Sequence, residues 1–287
     1  MPELPEVETI ARGLAKRVTG DVIESVWLGS KKEPLKSPAA EIARTLENAE
    51  IQGVRRMGKH IVFDLQRNAY AALKRGSAGR NARATAAQRA QWIVHLGMTG
   101  QMLVCSPDAE IKKHTHAIAK LSSGRELRFV DPRRFGRLSV ARNGDFDASG
   151  VEPLDIDLNT FISLFRGRKT PIKSALLNQK LLRGVGNIYA DEALFRAGIR
   201  PRHRAATLTR EQLTKLFATV QEVLNEAIRA GGSSVSDYVG ADGEEGLFQL
   251  EHRVYGRESE RCLHCKTPIK RVVIAGRSSH YCPRCQR

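Results

Sequence analysis

The chain has 287 residues, of which 47 are Lys or Arg and 31 are Asp or Glu, so its formal net charge is +16. This length exceeds that of one small domain and is comfortable for two, and a hydrophobic content of 41% is sufficient for ordinary globular cores. The basic excess indicates a polyanionic partner, foremost nucleic acid, although ribosomal and membrane-surface proteins share this charge balance.

Two further features of the composition bear on the cellular compartment. No apolar run approaches the length of a membrane span and no signal-peptide pattern is visible, so we expect a cytoplasmic protein with no membrane contact. Of the five cysteines, Cys105 is isolated and the other four fall within the last 26 residues. An odd count with this clustering is not typical of a secreted disulfide framework.

The first predicted element is an amphipathic helix that begins near residue 3. Its apolar residues recur at helical spacing and Gly20 follows as a stop signal. The opening stretch MPELPEVETI places Pro2, Glu3 and Glu6 at the start of this helix. Proline in the first turn and acids near a helix N-terminus are common capping choices, and on these residues alone we prefer that interpretation.

Residues 22–140 have the texture of antiparallel strands arranged as a sandwich or barrel. Short stretches rich in β-branched and aromatic residues are separated by turn residues, and they are VIESVWL, HIVFDL, QWIVHL, HAIAKL and ELRFV. Two loops stand out among them. In DPRRFG, arginines that bind phosphate could flank an intercalating Phe135, or the ring could pack back into the sheet. In HLGMTG, Met98 could be an apolar wedge or an ordinary core residue.

Residues 143–158 contain Gly, Pro and several Asp and predict a linker, after which helical periodicity returns. Segments at about 172–181 and 187–197 are joined by LRGVG, and Asn187 could cap the second helix or bind an anion there. The alternative is an ordinary helix connection. Thr209 and Gln212 form a capping-box start for a longer helix that Gly231 and Gly232 end.

The strongest single motif is a four-cysteine cluster near the end of the chain. Cys262-x2-Cys265 and Cys282-x2-Cys285, separated by sixteen residues, form a pattern typical of a closed, structural zinc site. Two disulfides or unrelated thiols are the alternative, and His264 and His280 are rival ligands. The residues between the pairs predict a hairpin with a Gly276-Arg277 turn. Residues 261–287 contain seven basic residues and no acid, which favours contact with nucleic acid.

Taken together and in order, these motifs resemble the bacterial formamidopyrimidine-DNA glycosylases. The resemblance spans nearly the whole chain and rests on MPELPEVET, RRMGKHIVF, HLGMTG, DPRRFG, GVGNIYADEALF, GGSSVSDY with FQLEHRVYGR, and the terminal CxxC pairs. Endonuclease VIII is similar in layout but typically begins Pro-Glu-Gly-Pro-Glu and lacks HLGM and DPRRFG. Leu4, Met98 and Phe135 therefore favour the former family.

The resemblance implies a base-excision repair enzyme with two activities. It would remove oxidised purines, 8-oxoguanine and formamidopyrimidines, through a Schiff base on Pro2, exposed by loss of Met1, and would then cleave the abasic site by β,δ-elimination. Glu3 would shuttle protons, Glu6 would orient the terminus, and Lys59 would bind the phosphate flanking the lesion and the damaged nucleotide. The noncatalytic alternative is a zinc-ribbon nucleic-acid binder.

The resemblance also implies the residues that contact DNA. Asn187 and Arg277 would bind phosphate, and Met98, Arg133 and Phe135 would fill the void left by the extruded nucleotide. Further contacts would come from residues for which a solvated basic face is the alternative, namely His114, Arg134, Lys169 and Lys173. The partner would be damaged double-stranded DNA, the one cofactor a structural Zn²⁺ bound by the four cysteines, and the protein a monomer at the bacterial nucleoid.

The resemblance further implies an α+β fold in four parts. An N-terminal amphipathic helix and antiparallel β-sandwich would occupy residues 1–145 and a linker 146–158. A helix–two-turn–helix domain with a mobile loop at about 231–246 would follow at 159–256, and a zinc-finger hairpin at 257–287. The chain departs from the family at about 67–90, where a basic insertion replaces a compact connection. The insertion could be a tolerated disordered segment or a nonspecific DNA-contacting arm.

Overall fold

The computed structural model describes residues 1–31, 33–67, 88–142, 144, 146–234 and 246–287. Most of the basic insertion and most of the loop expected at about 231–246 lie outside these ranges. The described residues form two compact units. The first contains Met1–Pro2 and the described part of Glu6–Asp147, and the second contains Glu3–Pro5 and the described residues from Ala148 onward.

Two helices and two four-stranded antiparallel sheets account for most of the first unit. The helices are α1 (Leu4–Val18), whose first two residues belong to the second unit, and α2 (Ala39–Leu46). The strands of one sheet, in the order β1-β6-β7-β5, are β1 (Ile23–Leu28), β6 (Thr115–Leu121), β7 (Glu126–Val130) and β5 (Gln101–Cys105). Those of the other, in the order β2-β3-β4-β8, are β2 (Glu50–Met57), β3 (His60–Arg67), β4 (Gln88–His95) and β8 (Arg137–Arg142).

One apolar core joins both sheets to α1. Apolar residues at helical spacing along α1, such as Val7, Ile10 and Leu14, are buried with Phe63 and Phe129 from the two sheets in a single cluster. Burial of such side chains stabilises the fold by about 1.5–3 kcal/mol each. Of the sandwich or barrel predicted from the strand-like stretches, the structure shows the sandwich.

The second unit is built from helices and one hairpin. Its helices are α3 (Leu158–Phe165), α4 (Ile172–Leu176), α5 (Asn187–Ala197) and α6 (Arg210–Arg229), and the hairpin consists of β9 (Lys270–Ile274) and β10 (Arg277–Tyr281). The capping box of Thr209 and Gln212 at the start of α6 is present, and Gly198 ends α5 in the left-handed conformation. The α4 segment ends five residues earlier than the sequence predicts.

The turn of the hairpin differs by one residue from the predicted one. Ala275 and Gly276 both have positive φ, +48° and +75°, so they are the two central residues of the turn. Arg277 is therefore the first residue of β10, opposite Ile274, instead of a turn residue.

The α+β class and the order of its parts are confirmed, whereas several elements escaped sequence-based prediction. The missed elements are α2, α3, β2, β5 and β8. Within the described part of the chain, no helix has the length and apolar character needed to span a bilayer.

Candidate functional site

The carboxylate of Glu3 lies at the N-terminus of α5. Its Oε1 accepts a hydrogen bond of 2.7 Å from the backbone N–H of Asn187, and the residue is 5% exposed. A Cβ at Gly186 would lie 2.0 Å from the Glu3 carboxyl carbon, so this approach requires glycine at 186. The free N–H groups and the helix dipole favour an anion here, and Glu3 supplies it. Pro2 is its immediate neighbour in the chain.

Asn187 itself does not cap the helix, so that prediction is wrong. The N-cap position is Gly186, and Asn187 is the first helical residue. Its side-chain Nδ2 instead donates to Ser278 Oγ in the hairpin at 3.2 Å. The sequence could not show this because the capping carboxylate comes from residue 3.

The structure encloses Lys173. The expectation that this lysine lies at the surface, either as a DNA contact or on a solvated basic face, is therefore also wrong. The side chain is 1% exposed, its Nζ lies 2.7 Å from Asp191 Oδ1, and it donates to the carbonyl oxygen of Ser278 at 2.6 Å. Burial lowers the pKa of Lys173, and the Asp191 carboxylate opposes that shift. The lysine therefore acts as a buried counter-charge that links α4 to α5 and the hairpin.

The same Asp191 carboxylate secures the strand that carries Arg277. Asp191 Oδ2 accepts a hydrogen bond from the backbone N–H of His280 at 2.9 Å and lies 3.3 Å from His280 Nδ1. Both the backbone and the ring of His280 therefore contact Asp191. Arg277, three residues earlier in β10, is exposed. The strand position of this arginine follows from a buried acid on α5.

A second buried acid of α5 organises the segment after the helices. Glu192 accepts hydrogen bonds from the backbone N–H groups of Arg253, Val254 and Tyr255 at 2.9–3.1 Å. Burial raises the pKa of Glu192, and the three donors oppose that shift. Sequence reasoning missed both Asp191 and Glu192. Two adjacent acids in a basic region would have been the available signal.

The four cysteines predicted as metal ligands converge on one point. Their Sγ atoms lie within 4.8 Å of one another, with Cys265–Cys282 at 3.4 Å and Cys262–Cys285 at 3.9 Å, and none forms a disulfide. Tetrahedral coordination with Zn–S bonds of ~2.3 Å separates sulfurs by about 3.8 Å. The all-thiolate set thus fits one structural zinc ion. Gln286 fixes the second knuckle by accepting from the Cys282 N–H at 2.8 Å.

In the first unit, Asp131 holds together the two loops that were singled out in the sequence. Its buried carboxylate accepts hydrogen bonds from Thr99 Oγ1 at 2.6 Å and from the Gly136 N–H at 2.7 Å. Its backbone N–H donates to the carbonyl oxygen of His114 at 3.0 Å. One acid therefore fixes the relative positions of HLGMTG, DPRRFG and His114. No role for Asp131 was apparent from the sequence.

The apolar side chains of these loops point to solvent. Met98 is 39% and Phe135 is 53% exposed, so neither belongs to the core, and Arg133 Cζ lies 5.0 Å from the centre of the Phe135 ring. Gly97 has φ +65°, and a Cβ there would lie 2.5 Å from the backbone of Phe135. Glycine is therefore required where the two loops touch.

A pair of histidines supports the Met98 loop from the sheet. The rings of His60 and His95 lie 5.0 Å apart, and His95 Nδ1 accepts a hydrogen bond from the Gly97 N–H at 3.1 Å. Burial, followed by the charges of His60, Arg137 and Lys59, lowers the pKa of His95 to about 4. The ring is thus neutral near pH 7, as its acceptor role requires. Lys59 occupies the turn between β2 and β3, half-buried.

The remaining predicted residues occupy separate positions. Glu6 is buried in the first turn of α1, whereas His114, Arg134 and Lys169 are exposed. Within the first unit the structure gathers Met98, His114, Arg133 and Phe135 around Asp131. Within the second it gathers Glu3, Lys173 and Asn187 at the start of α5, with Arg277 on the attached hairpin.

Comparison with known proteins covers the whole chain. Residues 1–138 match the profile of the formamidopyrimidine-DNA glycosylase N-terminal domain and residues 150–239 that of the H2TH domain of the same enzymes. Residues 259–287 match a zinc finger found in FPG and IleRS. Formamidopyrimidine-DNA glycosylases of Solibacter usitatus and Gluconobacter oxydans are 42% and 39% identical, with all of both chains covered.

Two solved structures show the same fold. The complex between the Lactococcus lactis Fpg and an abasic site containing DNA has a TM-score of 0.84 at 32% identity, covering 99% of both chains. The MutM (FPG) protein of Thermus thermophilus has a TM-score of 0.82 at 39% identity, covering 99% of this chain and 98% of that one.

Proposed function

The chain belongs to the formamidopyrimidine-DNA glycosylase family, and on that premise we propose that it excises oxidised purines from damaged double-stranded DNA and then cleaves the abasic strand. The substrates would be 8-oxoguanine and formamidopyrimidines. The observation that carries the proposal is the buried Glu3 carboxylate, fixed by the Asn187 N–H beside Pro2. The net charge of +16 suits a polyanionic substrate.

The first step would use Pro2 as a nucleophile. After removal of Met1, Pro2 has a secondary amine, and α-amino groups titrate near pH ~8, so a neutral fraction is present. The amine nitrogen attacks C1′ of the damaged nucleotide, the glycosidic bond breaks, and the base leaves with a proton. The product is an iminium, which is permanently cationic because the nitrogen is tertiary. Formation of this C=N bond requires the sugar ring to open, and Glu3 would deliver a proton to the ring oxygen O4′ as the C1′–O4′ bond breaks.

Strand cleavage would follow from the same intermediate. Removal of a C2′ proton by the Glu3 carboxylate sends electrons into the iminium and expels the 3′ phosphate, and a second elimination expels the 5′ phosphate. Hydrolysis of the remaining iminium releases the sugar fragment and restores Pro2. Glu6, buried one turn after Pro2, would orient the terminus. No other reagent is needed.

DNA would be held by residues of both units. We propose that Lys59, Asn187 and Arg277 bind phosphates and that Met98, Arg133 and Phe135 enter the duplex when the damaged nucleotide is extruded. Extrusion costs a few kcal/mol of unstacking, and inserted side chains offset part of it. The exposure of Met98 and Phe135 supports this role. Additional contacts would come from His114, Arg134 and Lys169.

The zinc ion would contribute to folding only. Bound by its four cysteines, it would close the knuckles that flank the hairpin and so support Arg277. We retain the division into a catalytic part at 1–145, a DNA-binding part at 159–256 and a zinc finger at 257–287 as part of this proposal. The protein would act as a monomer on chromosomal DNA at the bacterial nucleoid.

Borohydride trapping tests the proposed function directly. A duplex with one 8-oxoguanine is incubated with the protein and sodium borohydride, which reduces an iminium to a stable covalent bond. We expect a covalent protein–DNA species with the damaged duplex and none with an undamaged duplex of the same sequence. Binding without trapping would instead establish the zinc-ribbon binding protein.

A further inference from the structure

The first unit contains a cavity of about 440 Å³ at the end of the sheet β2-β3-β4-β8 where β3 ends and β4 begins. Four arginines line it, and its remaining lining residues include no Asp or Glu. The arginines are Arg44 on α2, Arg67 at the end of β3, Arg89 on β4 and Arg142 at the end of β8. A concave surface with four guanidinium groups is an arrangement suited to an anion.

One of these arginines is held in place by the helix beside it. Arg67 donates from one terminal nitrogen to the carbonyl oxygens of Arg44 and Glu47, and the latter distance is 2.5 Å. Both carbonyls belong to the C-terminal end of α2, where helix carbonyl groups lack helical partners. The contact therefore fixes the Arg67 guanidinium on one wall of the cavity.

The charge of the cavity is not balanced by its own neighbours. Glu41 lies 3.5 Å from Arg142, and the Glu47 carboxylate accepts from the Val26 N–H at 3.4 Å. Arg44 and Arg89 have no ion pair with any residue in the described ranges. Among the described residues, four cations against these two acids leave an excess of two positive charges.

The stretch of chain that adjoins Arg67 and Gln88 offers no acidic occupant. Arg67 and Gln88 adjoin residues 68–87, and the whole stretch from residue 65 to residue 107 contains no Asp or Glu. A carboxylate from that stretch therefore cannot neutralise the arginines. Within the part of the chain that the structure describes, Glu41 is the only acid paired with these arginines.

The cavity is separate from the loops around Asp131. Lys59 and the Met98 loop lie at one end of the β3–β4 pair, because His60 pairs with His95, and Arg67 and Gln88 pair at the other. At ~3.3 Å per residue, the seven steps from His60 to Arg67 place the two ends about 23 Å apart.

We propose that this cavity binds an oligophosphate, an anion with at least two linked phosphoryl groups. Guanidinium groups bind phosphoryl oxygens in pairs, and two or more phosphoryl groups match the excess positive charge and the size of the cavity better than a single small anion does. The oligophosphate could be free, as in a nucleoside triphosphate, or consecutive phosphates of a DNA strand. Both present the same chemistry.

Isothermal titration calorimetry of the full chain with inorganic triphosphate, at constant ionic strength, tests the proposal. We expect Arg44→Gln and Arg89→Gln each to raise the dissociation constant of triphosphate at one site per chain by about tenfold or more, since hydrogen bonds to charged groups are the strong ones. Lys120→Gln removes an equal charge from an exposed residue of β6, outside the cavity, and should leave that dissociation constant unchanged. Glutamine avoids an apolar surface, and thermal unfolding checks that each variant folds.

Competition identifies the source of the phosphates. If ATP displaces triphosphate from the cavity and a lesion-free duplex does not, the natural ligand is a free nucleotide. Displacement by the duplex indicates DNA. Both results support the site. Triphosphate binding that is absent, or equally strong in Arg44→Gln, Arg89→Gln and Lys120→Gln, would overturn it.

Discussion

The Glu3 carboxylate accepts a hydrogen bond of 2.7 Å from the backbone N–H of Asn187, a residue 184 positions later in the chain. The proposed proton-transfer group is thus positioned by the start of a helix instead of by its neighbours in sequence. Glutamine at position 3 keeps an oxygen that can accept the same hydrogen bond, so chemistry and positioning can be separated by experiment.

Glu3→Gln should lower base excision by about 10²–10⁴-fold, because it removes a general acid–base group. Cleavage at a preformed abasic site requires no base departure and should decline less. Single-turnover rates on an 8-oxoguanine duplex and on an abasic duplex measure the two effects. Equal losses on both substrates would contradict the assigned role, and an unchanged melting temperature would confirm that the cap is intact.

Blocking the Pro2 nitrogen should abolish covalent trapping. With Met1 retained, that nitrogen is an amide without a nucleophilic lone pair. Pro2→Gly should keep partial trapping, since a primary amine can still form a Schiff base but lacks the fixed ring geometry. Mass spectrometry of the N-terminus and borohydride trapping are performed on the same samples. Normal trapping by a Met1-retaining protein would move the nucleophile elsewhere, with Lys59 tested first.

Met98→Ala and Phe135→Ala should reduce excision by more than they reduce binding to undamaged duplex, because both side chains would act after nucleotide extrusion. Arg133→Ala should impair both binding and discrimination of the opposite base. Ile111→Ala is a matched control, because Ile111 is also an exposed apolar residue of the first unit, at 58%. Fluorescence anisotropy and excision rates provide the comparison, and parallel losses on damaged and undamaged DNA would exclude void filling.

Removal of zinc should abolish DNA binding and leave the sandwich of the first unit folded. The four Sγ atoms meet in the second unit, and the β-sandwich core contains none of the four cysteines. We expect one zinc per chain by elemental analysis, and its loss to a chelator to leave the β-sheet circular dichroism largely intact. Active protein without zinc would contradict this assignment.

Stability should fall as the pH decreases from about 6.5 toward 4. Burial lowers the pKa of His95 and of His252 to about 4 in the folded protein, whereas the ordinary value is 6.5. Between these two pKa values the unfolded chain binds more protons than the folded protein. Each histidine therefore lowers the free energy of unfolding by about 1.4 kcal/mol for each pH unit of decrease, and it has no such effect above pH 6.5.

His95→Asn should reduce the slope of the unfolding free energy against pH by the contribution of one histidine. The variant should keep the loop in place, since asparagine can still accept from the Gly97 N–H. Denaturant titrations at pH 7.5, 6.0 and 5.0 measure both proteins. Parallel stability curves for the wild type and the variant would show that His95 does not titrate in this way.

Periodicity and capping predicted much of the fold. The apolar stripe of α1, the alternating strands and the Thr209 capping box are local signals, and all three elements are present. Elements without such signals were missed. In β2, EIQGVRRM combines a central glycine with two consecutive arginines, and it forms because β3 pairs with it.

The site was predictable in its composition but not in its internal partners. The cysteine spacing indicated a metal, and the structure brings the four sulfurs together. Lys173 was misassigned because its environment depends on Asp191 and Ser278, which are distant in sequence. Charge alone cannot distinguish a lysine at the surface from one enclosed with a carboxylate.

The position of Asp131 has a consequence for how genetic data on this family member should be interpreted. Its carboxylate is buried beneath both loops and fixes them through Thr99 and Gly136, with Gly97 at their contact. A screen for loss of repair would therefore score residues 97, 131 and 136 as severely as the side chains that enter DNA. Substitutions at these positions would disrupt the arrangement of the loops without removing a group that takes part in the reaction. Phenotype alone would therefore overstate the size of the active site.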